Sequence, residues 1–234
     1  MSRAASLQQQ PKPTSGVRLV ATLGLIALFS GLLVVSVYEY TRPFIAQNQQ
    51  RALEAAVLEV IPGAESRRSF VLTDTGLFPR DEAPAAGRAI YAGYDADGAL
   101  AGVALEASGR GYADVIRILY GYDPDCACIV GMTVLESRET PGLGDKIETE
   151  PHFLESIQGL EARLNDAGTG LAHRIRTVDQ GEADDPWEID GITGATISSE
   201  AIGDMIHASA DAVLPRLAAH WDTLRRAAPR PDQP

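Results

Sequence analysis

Cysteine is scarce in this chain of 234 residues, in which only Cys126 and Cys128 occur. Neither belongs to a C-x-x-C-H sequence, so the usual attachment of haem has no support. On a strand the two side chains would point to the same face, where they could bind a metal with outside help or oxidise. We expect instead two half-buried, small apolar side chains.

Sequences that mark nucleotide and hydrolase sites are also missing. No G-x-S-x-G, no P-loop and no G-x-G-x-x-G that opens a helix occurs. The sequence therefore gives no evidence for a hydrolase or a nucleotide-dependent kinase. The histidines are scattered and lack the H-E-x-x-H spacing, and we expect them on the surface or in packing contacts: His152, His173, His207 and His220.

After the N-terminal segment, acidic residues outnumber basic residues. The net charge is −12, and the first eighteen residues carry +3 from Arg3, Lys12 and Arg18. Residues 19–38 are uncharged, so the remainder of the chain carries −15. An acidic domain of this kind repels the phosphates of nucleic acid, and we expect no nucleic-acid partner.

One long apolar run, residues 19–38, is present. As a helix it would span about 30 Å, the thickness of a bilayer core, and would contact lipid. Tyr38 and Tyr40 lie where an interfacial aromatic belt is expected. A cleaved signal peptide is the alternative, but its apolar region is usually shorter and ends at a small-x-small site, which is not clear after Val37. The flanking basic residues predict a cytoplasmic N-terminus.

The chain is predicted to have five parts. These are a cytoplasmic tail (1–18), a transmembrane helix (19–38), a linking helix (39–63), an extracytoplasmic domain (64–220) and a flexible tail (221–234). The linking helix would present one apolar face, made of Leu53, Ala56, Val57 and Val60. Pro62-Gly63 would stop it.

The pattern within the domain predicts an α+β fold with a largely antiparallel sheet and flanking helices. Residues 89–94 and 99–105 flank Asp95-Ala96-Asp97-Gly98, which is a hairpin signal. Two further strands are predicted at 115–119 and 126–135, and another near Ile175. Helices are predicted at 153–164 and 199–214, with Pro215 ending or kinking the second. Short turns between consecutive strands favour antiparallel pairing.

The most informative stretch is Asp190-Gly191-Ile192-Thr193-Gly194-Ala195-Thr196. Small residues let a bulky ligand approach the backbone. Ser198 is the predicted N-cap of the following helix, whose first N–H groups could receive a phosphate. Glu200, predicted in the first turn, would compete with that phosphate unless it points away. A tight turn capped by serine, with no ligand, is the alternative.

Two glycine-containing loops could complete such a site. In Glu139-Thr140-Pro141-Gly142-Leu143-Gly144, the Thr140 hydroxyl could bond the edge of a planar ring and Leu143 offers apolar contact. In Gly109-Arg110-Gly111-Tyr112, the arginine could face a phosphate and the tyrosine could pack near a ring. Each stretch alone could equally be an ordinary turn.

These features occur in a fixed order: an anchor, a linking helix, the Gly111-Tyr112 turn, the 139–144 loop and the 190–196 motif. Together they resemble the FMN-binding G subunit of the Rnf ion-translocating oxidoreductase complex, over residues 19–215. They are also similar to its homologue, the C subunit of the sodium-pumping NADH:quinone reductase. The C subunit is usually somewhat longer than this chain, which favours the resemblance to the G subunit.

The resemblance implies covalent FMN, joined by a phosphoester to Thr196. A flavin transferase would recognise Asp190, Thr193, Gly194 and Ala195, and the loop 139–144 would approach the flavin. The chain would then relay electrons between other membrane subunits of the complex, with no general acid or base of its own. It would lie in a bacterial inner membrane with the FMN domain in the periplasm. A quinone-reductase C subunit or a cofactor-free, membrane-anchored assembly module remain the alternatives.

Overall fold

A computed structural model describes residues 15–84 and 86–228. The chain divides into two compact units, one ending at Gln50 and the other beginning at Arg51. Four α-helices are described: α1 (Gly16–Val60), α2 (Pro151–Ile157), α3 (Thr196–Leu217) and α4 (Trp221–Arg226). Two short 3-10 helices lie at Gly144–Glu148 and Ala218–His220.

Helix α1 is 45 residues long and contains Pro43. Its apolar part has a mean hydropathy of 2.4 and is long and apolar enough to cross a membrane. The transmembrane and linking helices predicted separately belong to one continuous helix, which runs through Pro43. Residues 16–18 belong to α1 and not to a tail. Ser15 precedes the helix, and residues 1–14 of the predicted tail lie outside the described residues.

Within the part of the chain that the structure describes, nine strands form two sheets: β1 (Ser66–Thr73), β2 (Gly76–Pro79), β3 (Arg88–Tyr94), β4 (Leu100–Arg110), β5 (Val115–Asp123), β6 (Cys128–Glu136), β7 (Leu160–Glu161), β8 (Arg176–Val178) and β9 (Glu188–Asp190). The first seven make one sheet in the order β2-β1-β3-β4-β5-β6-β7, and every neighbouring pair is antiparallel. Strands β8 and β9 pair in parallel. The predicted α+β class, the 95–98 hairpin and the strand beside Ile175 are confirmed.

Helices cover both faces of the large sheet. Helix α3 packs on one face through a cluster that includes Ile202, Ile206, Leu105 and Ile118. The end of α1 packs on the other, where Ala56, Val57 and Val60 meet Tyr91 and Leu119. The predicted apolar face of the linking helix is therefore confirmed. Gly121 permits this approach, since a Cβ there would lie 2.0 Å from the Val60 carbonyl oxygen.

Three predicted helix boundaries are corrected. Helix α2 ends at Ile157 rather than 164, because Gly159 turns with φ +84° and Leu160 pairs with Ile129. Helix α3 begins three residues earlier than predicted and continues through Pro215 to Leu217.

The predicted flexible tail from 221 begins in fact with helix α4. Leu224 is fully buried, and the Trp221 ring stacks on Tyr122 with 6.0 Å between centroids. Apolar contact with the sheet thus orders the first part of the predicted tail, whereas the prolines that favoured a tail all lie in 229–234. Residues 229–234 of the predicted tail lie outside the described residues.

The prediction for the two cysteines is wrong. Cys126 and Cys128 form a disulfide at the β5–β6 turn, with 5.2 Å between their Cα atoms. Cys126 is exposed, and Ala127 between them has φ +54°. The turn, not a strand, brings the sulfur atoms together, which the strand-based argument could not anticipate.

Candidate functional site

Thr196 is the first residue of helix α3, and its side chain is exposed. The N-cap residue is Ala195, which has no side-chain oxygen to accept from the first turn. The first amide bonded back across this turn is that of Ser199, which donates to the Ala195 carbonyl. The helix geometry therefore leaves the N–H groups of residues 196–198 without intrahelical acceptors, beside the Thr196 hydroxyl.

Ser198 does not cap the helix, contrary to the prediction. It lies inside the first turn, fully buried, and its hydroxyl donates to Glu139 Oε2 at 2.8 Å. Because the helix begins at Thr196, no acidic residue stands in its first turn. Glu200 is exposed beyond that turn, so the predicted competition between its carboxylate and a phosphate is removed.

An open cavity of about 290 Å³ lies beside Thr196. Three large apolar side chains in its wall are unusually exposed: Tyr112 at 64%, Leu143 at 49% and Ile197 at 52%. The other lining residues are small or polar: Gly144, Gly194, Ala195, Thr196 and Ser198. An apolar rim next to a hydroxyl and free N–H groups suits a ligand with a flat ring and an anionic group.

A tight turn places Leu143 in the wall of this cavity. The Leu143 N–H donates to the Thr140 carbonyl at 3.1 Å, and Gly142 has φ +78°. This hydrogen bond, with Pro141 in the second position and glycine in the third, is typical of a type II turn. Thr140, Pro141 and Gly142 are exposed and do not line the cavity. In the structure they shape the loop, and their contact with a bound ring stays a prediction.

Glu139, the first residue of the predicted loop, is buried at 6% exposure. Its Oε1 accepts hydrogen bonds from the N–H groups of Ala113 at 3.1 Å and Asp114 at 3.4 Å. Gly111 is buried nearby, and its N–H donates to the Asp114 carbonyl. Neither Glu139 nor Gly111 lines the cavity, whereas Tyr112, the next residue, does.

Asp190 and Thr193 are placed away from the cavity wall. Asp190 is 4% exposed, and its carboxylate contacts the Gly181 N–H and His152 Nε2. Thr193 is exposed, and its N–H donates to Gln180 Oε1 at 3.2 Å. These contacts hold the segment before α3, while Gly194, with φ +85°, turns the chain into the helix.

The strand before this segment contains a second buried carboxylate. Glu188 accepts a hydrogen bond from Arg176 Nε at 2.9 Å and from the N–H groups of Asp184 and Asp185. The Arg176 hydrogen bond, followed by the two from the backbone, lowers the pKa of Glu188. The buried carboxylates of Glu188 and Asp190, on either side of the buried Ile189, therefore both have partners that hold strand β9 in place.

A larger open cavity of about 850 Å³ contains none of the predicted site residues. Its arginines already have partners: Arg88 donates to Ser209, Arg117 pairs with Glu106 and Arg216 pairs with Asp74. Arg110 lines neither cavity and is exposed, so the structure gives no support to its predicted phosphate contact.

Sequence reasoning missed Ile197 and did not foresee the burial of Glu139. Because the helix was predicted to begin at 199, the only local signal for Ile197 was an apolar side chain next to Thr196. The burial of Glu139 had no local signal, because its partners lie 25, 26 and 59 residues away in the chain.

The comparisons with known proteins agree with this geometry. Residues 111–211 match the FMN-binding domain family, and residues 12–60 match the RnfG N-terminal region. The first match begins beside Tyr112 and includes both sides of the cavity. The fold and the site thus define a domain of the FMN-binding class, preceded by an apolar helix.

Several relatives extend over most of the chain. The G subunit of the ion-translocating oxidoreductase complex of Methanosarcina acetivorans is 29% identical over 199 residues, 84% of this chain and 93% of its own. The G subunit of Cereibacter sphaeroides is 32% identical over 186 residues, 79% of this chain and 78% of its own. The G subunit of Aliivibrio fischeri is 32% identical over 184 residues, 77% and 81% of the two chains. This chain belongs to the family of G subunits of ion-translocating oxidoreductase complexes.

Two solved structures have the same fold. Shewanella oneidensis NqrC has a TM-score of 0.56 at 19% identity, and the match covers 76% of this chain and 98% of its own. The C subunit of the Na(+)-translocating NADH-quinone reductase from Parabacteroides distasonis has a TM-score of 0.58 at 21% identity, over 78% and 96% of the two chains.

Proposed function

We propose that this chain is an electron-transfer subunit of a membrane-bound ion-translocating oxidoreductase complex, and that it carries FMN joined through its phosphate to Thr196. The observation that carries the proposal is the exposed Thr196 hydroxyl at the start of a 22-residue helix whose N-cap offers no side-chain acceptor. It faces an apolar-rimmed cavity within the region that matches the FMN-binding domain.

The residues present fit FMN. The free N–H groups of residues 196–198 would receive the phosphate oxygens, favoured further by the helix dipole. Tyr112, Leu143 and Ile197 would contact the isoalloxazine ring, since their apolar surface is already exposed to the cavity. Gly194 leaves open space, because a Cβ built on it would meet nothing within 4 Å.

Thr196 supplies the nucleophile for attachment. Its hydroxyl oxygen would bond to the phosphorus of the FMN half of FAD as the pyrophosphate bond breaks and AMP leaves, with a flavin transferase taking the hydroxyl proton. When bound, FMN accepts electrons and passes them on. The protein binds and orients, because the described residues that line the cavity include no histidine, carboxylate or basic side chain.

We propose a single-pass topology in a bacterial inner membrane, with Arg3, Lys12 and Arg18 in the cytoplasm and the FMN domain in the periplasm. The basic N-terminal flank and the apolar part of α1 support it. Protease added to intact spheroplasts should digest the region after Tyr38. Protection of that region would reverse the proposed orientation.

Relatives above 30% identity support the G-subunit assignment, because they are named as G subunits, whereas the C subunits are 19% and 21% identical and share the fold. The other membrane subunits that copurify with this chain would test that choice. A cofactor-free assembly module predicts no fluorescent band on a denaturing gel viewed under ultraviolet light, when the chain is made together with an active flavin transferase.

The decisive experiment compares Thr196→Val with Thr149→Val under those conditions. Valine keeps the shape of threonine but removes the hydroxyl, so the first variant should fold and remain dark. Thr149 is also exposed and lies outside both the motif and the cavity wall, so its variant should stay fluorescent. Fragmentation of the tryptic peptide 177–216 should then place the modification on Thr196 in the wild-type protein. Fluorescence retained by Thr196→Val would contradict the proposal.

A further inference from the structure

Three segments that line the cavity converge on the carboxylate of Glu139. Its Oε1 accepts from the amides that follow Tyr112, and its Oε2 accepts from Ser198, two residues after Thr196. The third segment is its own loop, which brings Leu143 and Gly144 to the cavity. One side chain therefore joins the three parts of the wall, although it does not itself line the cavity.

Two glycines are packed directly against this carboxylate. A Cβ on Gly111 would lie 2.4 Å from Oε1, and a Cβ on Gly144 would lie 2.3 Å from Oε2. Contacts this short do not occur, so neither position accepts a larger residue without a shift of the carboxylate. Because Gly144 lines the cavity, the carboxylate lies immediately behind the cavity wall.

The charge of Glu139 is met by dipoles rather than by a cation. Among residues 15–84 and 86–228, no lysine, arginine or histidine forms an ion pair with it. All three of its hydrogen-bond partners are N–H or O–H donors. This arrangement suits an ionised carboxylate, which only accepts, and it leaves the negative charge uncancelled by a counter-ion.

We propose that Glu139 is the positioning residue of the FMN site, where it fixes the three segments of the cavity and sets a negative charge behind its wall. The inference rests on the proposed function and adds a specific role to a side chain that FMN does not need to touch. A buried negative charge near a group that gains electrons disfavours the reduced form and lowers its reduction potential.

The test uses full-length protein and the variants Glu139→Gln, Glu139→Ala and Glu136→Gln. Glutamine keeps an acceptor oxygen for the amides and removes the charge. Glu136 is the matched control because it precedes the same loop, its side chain is 41% exposed, and it pairs with Arg117 and Arg138. Its charge is screened by solvent and by these partners.

In cofactor-free protein, hydrogen exchange in the segment 111–114 should be at least about tenfold faster in Glu139→Ala than in wild type, and unchanged in Glu136→Gln. With FMN attached, Glu139→Gln should have a more positive flavin reduction potential than wild type and Glu136→Gln. Unchanged exchange in Glu139→Ala would overturn the positioning role. Equal potentials in both glutamine variants would overturn the role of the charge.

The proposed function and the proposed role of Glu139 can be disproved independently of each other. If the wild-type chain carried no FMN, the proposed function would be wrong, and exchange in the cofactor-free protein would still decide whether Glu139 holds the segments. If Glu139→Ala did not fold, the potential of Glu139→Gln would decide the proposal. Glutamine keeps one oxygen to accept from the Ala113 and Asp114 amides, and its NH2 group can donate to the Ser198 hydroxyl oxygen.

Discussion

The Ser198 hydroxyl donates a hydrogen bond to the Glu139 carboxylate at 2.8 Å, across 59 residues of sequence. It joins the first turn of α3 to the loop after β6, inside the core and not at the surface. A side chain that the local sequence marks as a helix cap is therefore used for a tertiary contact. The cap position is left to Ala195, and the first N–H groups of the helix stay free.

The first prediction concerns this hydrogen bond. Ser198→Ala should lower the free energy of unfolding by about 1–3 kcal/mol, because a buried carboxylate oxygen loses its donor. Chemical denaturation measures the change. Ser108→Ala, at an exposed position on β4, is the control and should have almost no effect. Equal stability of the two variants would contradict a structural role for the Ser198 hydroxyl.

The second prediction concerns the glycine behind the cavity. Gly144→Ala should destabilise the domain by about 1–3 kcal/mol, because the added methyl group must displace the Glu139 carboxylate. In the control, Gly109→Ala, the new Cβ would meet the flexible end of Met205 at 3.1 Å. That change should cost less than about 1 kcal/mol. A Gly144 variant as stable as the Gly109 variant would show that the loop moves freely.

The third prediction concerns the disulfide. Replacing Cys126 and Cys128 together with serine should lower stability by about 2 kcal/mol or less, because the bridge closes a very short loop and restricts the unfolded chain little. Thermal unfolding of the double variant, with and without a reducing agent, gives the value. Wild-type protein in reducing agent should match the variant. A larger loss would mean that the bridge holds the β5–β6 turn in place.

The fourth prediction is a pH dependence at Glu188, whose pKa is lowered by its hydrogen bond from Arg176. A folded-state pKa below the unfolded one gives stability that is present above the unfolded pKa and is lost as the pH falls through the folded value. Glu188→Gln should therefore be less stable than wild type near neutral pH, and the difference should shrink in acid.

Melting temperatures measured from neutral to acidic pH test this prediction. Glu200→Gln, at an exposed position on α3, is the matched control. Its melting temperature should stay parallel to that of the wild type. A constant gap between Glu188→Gln and wild type at all pH values would contradict the prediction.

The sequence predicted the elements whose signals are local. The apolar composition of residues 19–38 predicts a helix. Asp97-Gly98 between two alternating segments predicts the β3–β4 hairpin. Strands β1 and β2 gave no such signal. The first half of β1 reads Ser-Arg-Arg-Ser, and its partner β3 comes later in the chain, so its pairing depends on non-local contacts.

The candidate site was predictable where a residue type itself carries the chemistry. A hydroxyl among small residues before a helix identified the segment of Thr196, and Leu143 and Tyr112 were identified as apolar contacts. The burial of Asp190 and Glu139 was not predictable, because each carboxylate is buried by contacts with residues that are distant in the sequence. Tertiary contacts here override the local capping preference of serine.

Strand β5 sets a distance between two turns of the domain. It runs from Val115, just after the Tyr112 turn, to Asp123, just before the disulfide, which is about 27 Å of extended chain. A dye or surface linker attached through the thiols of the reduced β5–β6 turn would sit far from the cavity. The reduced thiols therefore offer an attachment point for an electrode that is well separated from the proposed FMN cavity.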